Sequence, residues 1–142
     1  VYKKKKIVVK PHPLLNINKL IKTFDYSILK NFEFSNNEIN YLLSKTEISV
    51  GCASSALVES LIRMSPVIVI ANKIIHNSIP ENVNKKLYKV VFDEKEFLNA
   101  VNNLTKLLKN NLFLKKESNF ILKNYFTKTN KKLTKNLLGI YD

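Results

Sequence analysis

Two short stretches of the chain hold residue types that chemistry needs, at spacings that chemistry can use. The first is Lys10-Pro11-His12-Pro13. Prolines on either side hold the histidine in an extended turn of low entropy, which suits a side chain that must point at a ligand. A neutral imidazole there donates to a phosphate oxygen, and an imidazolium offsets its charge. The plainer reading is a turn histidine with no ligand, and these four residues alone favour it. The second stretch is Gly51-Cys52-Ala53-Ser54-Ser55-Ala56-Leu57-Val58-Glu59. Small residues before a helix let a ligand approach the backbone, and serine hydroxyls with first-turn amides form an anion site helped by the helix dipole. Glu59, one turn on, is placed to accept hydrogen bonds from sugar hydroxyls. Again a plainer account exists, because serine is an ordinary N-cap and glutamate suits an early helical turn.

These residues need elements to position them. Ile7-Val8-Val9 reads as a strand, followed by helical spacing at Leu14, Ile17, Leu20, Ile21 and Phe24. A weaker strand is expected near Tyr26–Leu29. Ser35-Asn36-Asn37-Glu38 has the form of a capping box, so a helix should begin there and turn Ile39, Leu42 and Leu43 inward. Glu47–Val50 reads as a strand ended by Gly51, and residues 54–62 as a serine-capped helix. Pro66–Ile70 is a continuous apolar run, the pattern of a strand buried on both faces of a parallel sheet. Leu87–Phe92 is a further strand, and Asp93-Glu94-Lys95-Glu96 a second capping box. It opens a helix with Phe97, Val101, Leu104, Leu107 and Leu108 on one side. Strands alternating with helices at such intervals predict an α/β fold: a Rossmann-like open parallel sheet with helices on both faces, in a single domain. Ligands of such sheets lie at the carboxyl ends of the strands. Residues 1–110 should form this domain, with residues 111–142 as lysine-rich helices, Leu112–Phe126 and Leu133–Tyr141, packed on it.

Length and composition agree and exclude other classes. The chain has 142 residues, 45% hydrophobic and 25% charged, enough for one globular domain. Its single cysteine, Cys52, rules out an internal disulfide framework and a cysteine-rich zinc site, and is expected to be a small packing residue. His12, His76 and the scattered acids show no metal-ligand spacing, so neither a metal nor a cofactor is expected. His76 reads as a solvated loop histidine, with the lining of a base or sugar pocket as its alternative. No apolar run is long enough to span a membrane, and no signal-peptide pattern is present, which implies a cytoplasmic protein.

The net charge of +13 invites a nucleic-acid reading, but its distribution weakens it. Twenty-three of the 24 basic residues are lysine, whereas phosphate-reading surfaces favour arginine forks. Residues 1–30 hold eight lysines against Asp25, and residues 104–142 hold nine against Glu117 and Asp142. Residues 31–103 hold seven bases and eight acids, so the middle is nearly neutral. Phe113, Phe120, Tyr125, Phe126 and Tyr141 interleave with lysines of the C-terminal part, and their helical spacing is that of a packed face. Those lysines also suit peripheral contact with an anionic membrane.

Lys10-Pro11-His12-Pro13, Ser54-Ser55 with Glu59, and Pro66-Val67-Ile68-Val69, in this order, resemble the C-terminal half of a GT-B glycosyltransferase. The similarity is closest to bacterial surface-polysaccharide enzymes, namely the sialyltransferase and polysialyltransferase families and capsule Kdo transferases, and it covers residues 5–105. The resemblance implies a domain that binds a nucleotide-activated sugar, a CMP-sugar being favoured. It gives His12 the donor phosphate and leaving group, with Lys10 beside it, Ser54 and Ser55 the phosphate, and Glu59 a hydroxyl contact. Related glycerophosphotransferases carry an acidic residue and a tyrosine before the serine pair, where Gly51, Cys52 and Ala53 stand here. The resemblance also implies an N-terminal acceptor domain bearing the general base, so this chain is expected to be a fragment, inactive alone and partnered by that missing domain. A UDP-sugar 2-epimerase-like domain of the same fold is the alternative. A basic α/β module for nucleic acid or anionic membrane is the alternative of another class.

Overall fold

The computed structural model describes residues 5–12, 14–15, 17–23, 25–71 and 79–126. The chain divides into two compact units, Val1–Ser44 and Lys45–Asp142. Both are built from parallel strands with helices between them, the α/β class that the alternation of patterns predicts.

In the first unit, β1 (Ile7–Val9) pairs in parallel with β2 (Phe32–Phe34), Ile7 opposite Phe32 and Val9 opposite Phe34. The Ser35 N–H extends the ladder by donating to Val9 O at 3.0 Å. Two short helices connect these strands, α1 (Ile17–Lys22) and α2 (Tyr26–Leu29). Residues Tyr26–Leu29 are therefore helical and not a strand. Asp25 decides this locally: its Oδ1 accepts from Ser27 N at 2.8 Å, and Leu29 N donates to Asp25 O at 3.1 Å. The Ser27 amide and hydroxyl hold the Asp25 carboxyl below its ordinary value. That depressed pKa makes its contribution present above the unfolded value and lost as pH falls through the folded one.

The strand of this region lies instead at Phe32-Glu33-Phe34, whose aromatic–charged alternation has period two. Helix α1 is also shorter than the apolar spacing predicts, since Leu14 lies outside it and is 90% exposed. The capping box at Ser35 does not form. Helix α3 (Ile39–Leu43) starts later, with Glu38 at its N-cap and no side-chain cap bond. Ser35 is held by the ladder, and its Oγ accepts from Asn37 N at 3.2 Å in a local turn. Lys6 and Glu33 form an exposed ion pair of the kind that adds little stability.

The second unit is a three-layer arrangement around the parallel sheet β3-β4-β5, where β3 is Ser49–Gly51, β4 is Val67–Ile70 and β5 is Tyr88–Val91. Period-two alternation divides β4 between two cores. Val67 and Val69 pack with Leu57, Val58 and Leu61 of α4 (Ser55–Ile62) and with Leu114 and Ile121 of α6 (Asn111–Tyr125). Ile68 and Val91 pack on the other face with Ala100 and Leu104 of α5 (Glu94–Leu107). Val67, Ile68 and Val69 are fully buried, as a strand covered on both faces should be. The second capping box does form, with Asp93 Oδ1 accepting from Glu96 N at 2.8 Å. The Glu96 carboxylate takes the Phe92 N–H, also at 2.8 Å, one residue before the usual reciprocal partner.

Helix α6 is built into this unit. Its buried Ser118 donates to the Ile62 carbonyl at the end of α4. Its core-facing residues are Leu114, Ser118 and Ile121, which corrects the expectation of an aromatic packed face: Phe120, Tyr125 and Phe126 are exposed and only Phe113 is half-buried against the core. Tyr141 and the expected helix Leu133–Tyr141 lie outside the described residues.

Three serines join α4 to its neighbours. Ser60 Oγ donates to Ser65 O at 3.2 Å, so the proton of the 2.5 Å contact between Ser49 and Ser60 comes from Ser49. The helix then ends in a Schellman turn, with Ser65 N donating to Ser60 O and Met64 N to Leu61 O, both at 3.1 Å. Met64 occupies the left-handed position of that turn, at φ 62°, where glycine is usual. Met64→Gly is therefore expected to raise the unfolding free energy of this unit by about 0.5–1 kcal/mol, read as a higher urea midpoint at unchanged slope. A lower midpoint would mean that methionine's side-chain contacts outweigh its backbone strain.

Candidate functional site

Each unit carries one group of the expected site residues, at the carboxyl end of its strands. In the first unit the chain leaves β1 at Lys10 and turns at once. Leu15 N donates to His12 O at 2.8 Å, closing the turn, and Leu14 N donates to His12 Nδ1 at 3.2 Å. This second bond has a chemical consequence. An Nδ1 that accepts carries no proton, so the neutral ring holds its proton on Nε2 and offers it as a donor. His12 is exposed, and its Nε2 has no partner among the described residues. Lys10 Nζ reaches Asn36 O at 3.3 Å, tying the loop after β1 to the loop after β2. Asn36 is thus a neighbour of the site that sequence reasoning missed. Its signal was the Phe-Glu-Phe alternation, which places residues 35–37 at a strand end.

In the second unit, β3 delivers the chain to Cys52, Ala53 and Ser54, and α4 begins. Gly51 permits a close approach there, since a Cβ at this position would stand 3.2 Å from Leu57 Cδ2 in the core. Ser54 is the N-cap, its Oγ accepting from Ala56 N at 3.3 Å and its carbonyl from Leu57 N at 3.1 Å. Ser55 follows at the first helical position, exposed, with no partner for its hydroxyl among the described residues. Glu59 lies one turn on, half-buried, on the same side as Ser55 by i,i+4 spacing. Cys52 is exposed and free, not the packing residue expected. Chemically this is a helix N-terminus with two serines, a site that suits an anionic oxygen.

The structure places Lys10 and His12 on the loop after β1 in the first unit, and Ser54, Ser55 and Glu59 in the cap and first turns of α4 in the second. His76 lies outside the described residues. Among the described residues no group of three or more histidine, cysteine, aspartate or glutamate side chains is arranged to hold a metal ion, and no helix is long and apolar enough to cross a membrane. No family model, curated protein or solved structure matches the chain.

Proposed function

We propose that this chain is the donor-nucleotide-binding half of a surface-polysaccharide glycosyltransferase of the GT-B type, using a CMP-linked acidic sugar. The observation that carries the reading is that both motifs, His12 after β1 and the Ser54-Ser55 helix start after β3, stand at the carboxyl ends of parallel strands. Within the second unit, Ser55 Oγ and the α4 amides then donate to the phosphate of the leaving nucleotide, and within the first unit His12 Nε2 is the donor offered to an anionic oxygen of the ligand. These bonds strengthen as charge develops on the phosphate, so they lower the barrier as well as bind. Lys10 keeps the His12 loop in place through Asn36, and Glu59 accepts from a sugar hydroxyl. The general base and the acceptor site belong to an N-terminal domain of the same protein, which acts in the cytoplasm at the inner face of the membrane.

Calorimetric titration with CMP tests this. His12→Ala and Ser55→Ala each remove one donor to a charged oxygen, worth about 1.5–3 kcal/mol, and are expected to weaken CMP binding at least tenfold. Both side chains are exposed, so Ser55→Ala should leave the melting temperature unchanged, whereas His12→Ala also removes the acceptor of the Leu14 N–H and should lower it slightly. Unchanged affinity in both variants would overturn the proposal. A preference for UDP over CMP would move the assignment to the epimerase-like alternative.

A further inference from the structure

The outward face of α6 is the surface that the site does not use. Leu114, Ser118 and Ile121 point into the core, so the opposite side of the helix, with Leu112, Lys115, Lys116, Asn119 and Lys123, faces solvent. Leu112 is 85% exposed, and Phe120, beside Lys116 and Lys123 at i,i+4 and i,i+3 spacing, is 43% exposed. No carboxylate pairs with the three lysines among the described residues, and the helix's one acid, Glu117, is half-buried on the flank towards the core. An aliphatic side chain held almost wholly in water, one turn before two unpaired cations, is poorly explained by folding, since neither contributes to the core.

We propose that this face of α6 docks on an anionic lipid surface, the helix lying flat with Leu112 and Phe120 entering the headgroup boundary and Lys115, Lys116 and Lys123 over the phosphates. Charge complementarity supplies the attraction, and the exposed apolar residues select a membrane over a nucleic acid, whose backbone offers Leu112 nothing to bury against. The inference rests on the proposed function only for which membrane the protein meets.

Sedimentation with vesicles tests it, using phosphatidylcholine alone and phosphatidylcholine with about a third phosphatidylglycerol. The chain is expected to bind the anionic vesicles and not the neutral ones. Lys115→Glu/Lys116→Glu/Lys123→Glu is expected to weaken binding roughly 100-fold or more, each lysine near such a surface contributing about a factor of five. Leu112→Ser should weaken it several-fold even in high salt, where charge is screened. All four positions are exposed, so an unchanged melting curve accompanies each loss. Unchanged binding in the triple variant, in Leu112→Ser, or tighter binding to duplex DNA than to vesicles would overturn the proposal. CMP affinity should be the same in every one of these variants, which separates failure of this inference from failure of the nucleotide-binding reading.

Discussion

Ile121→Ala is expected to lower the stability of the second unit by about 3–4 kcal/mol, within the range for truncating a buried isoleucine. Ile121 is completely buried, and with Leu114 it shares a core with Leu57, Val58 and Leu61 of α4 and with Val67 and Val69 of the sheet. Removing three carbons there leaves a cavity between two helices, and the Ser118 bond to the Ile62 carbonyl limits how far α6 can move to fill it. A unit of this size has roughly 5–15 kcal/mol in total, so the loss is a large share of it. Urea unfolding should show the midpoint falling with little change in slope. Leu122→Ala is the internal control: the neighbouring side chain is 46% exposed, and its truncation should cost less than about 1 kcal/mol. Equal losses at the two positions would show that α6 is not packed through its buried face.

A comparable loss, about 3–4 kcal/mol, is expected for Ile68→Ala, whereas Ile70→Ala should cost about 1 kcal/mol or less. The two positions share residue type, strand and sheet face, so little besides burial separates them. Ile68 lies opposite Val50 on one side and Lys89 on the other, and is fully buried against Ala100 and Leu104 of α5. Ile70 lies at the carboxyl end of β4, paired with Val91 alone, and is 45% exposed. Burial, not residue type, sets the difference, because transfer and cavity terms both scale with what surrounds the removed atoms. Thermal melts of the two variants check it, and a similar fall in both would mean that α5 covers the sheet differently.

Elements whose signal is local are legible in the chain itself. Val67–Ile70 announces a doubly covered strand because four consecutive apolar, β-branched residues have no polar face to show to water. Ser54 and Asp93 announce helix starts because a short oxygen-bearing side chain meets an orphan amide two or three residues on. The positions of His12, Ser54 and Ser55 at strand ends follow from those elements. Tyr26–Leu29 and Ser35–Glu38 mislead for a common reason. Their patterns are short, and neighbours decide between the conformations that such patterns allow: Asp25 captures the Ser27 amide, and the Val9 carbonyl captures the Ser35 amide.

The α/β class, the parallel strand at Val67–Ile70 and the placement of the two candidate motifs at strand ends were thus determined by sequence alone, because periodicity and capping are properties of neighbours in the chain. Tertiary structure decided the rest. It paired β1 with β2 and β3 with β4 and β5 in separate sheets, placed Asn36 beside Lys10, and fixed the proton of neutral His12 on Nε2. It also turned Ile121 inward and left Leu112 among lysines in water. Each of these depends on which groups meet across a fold, where the competition for backbone hydrogen bonds and for cover from water is settled between segments and not within one.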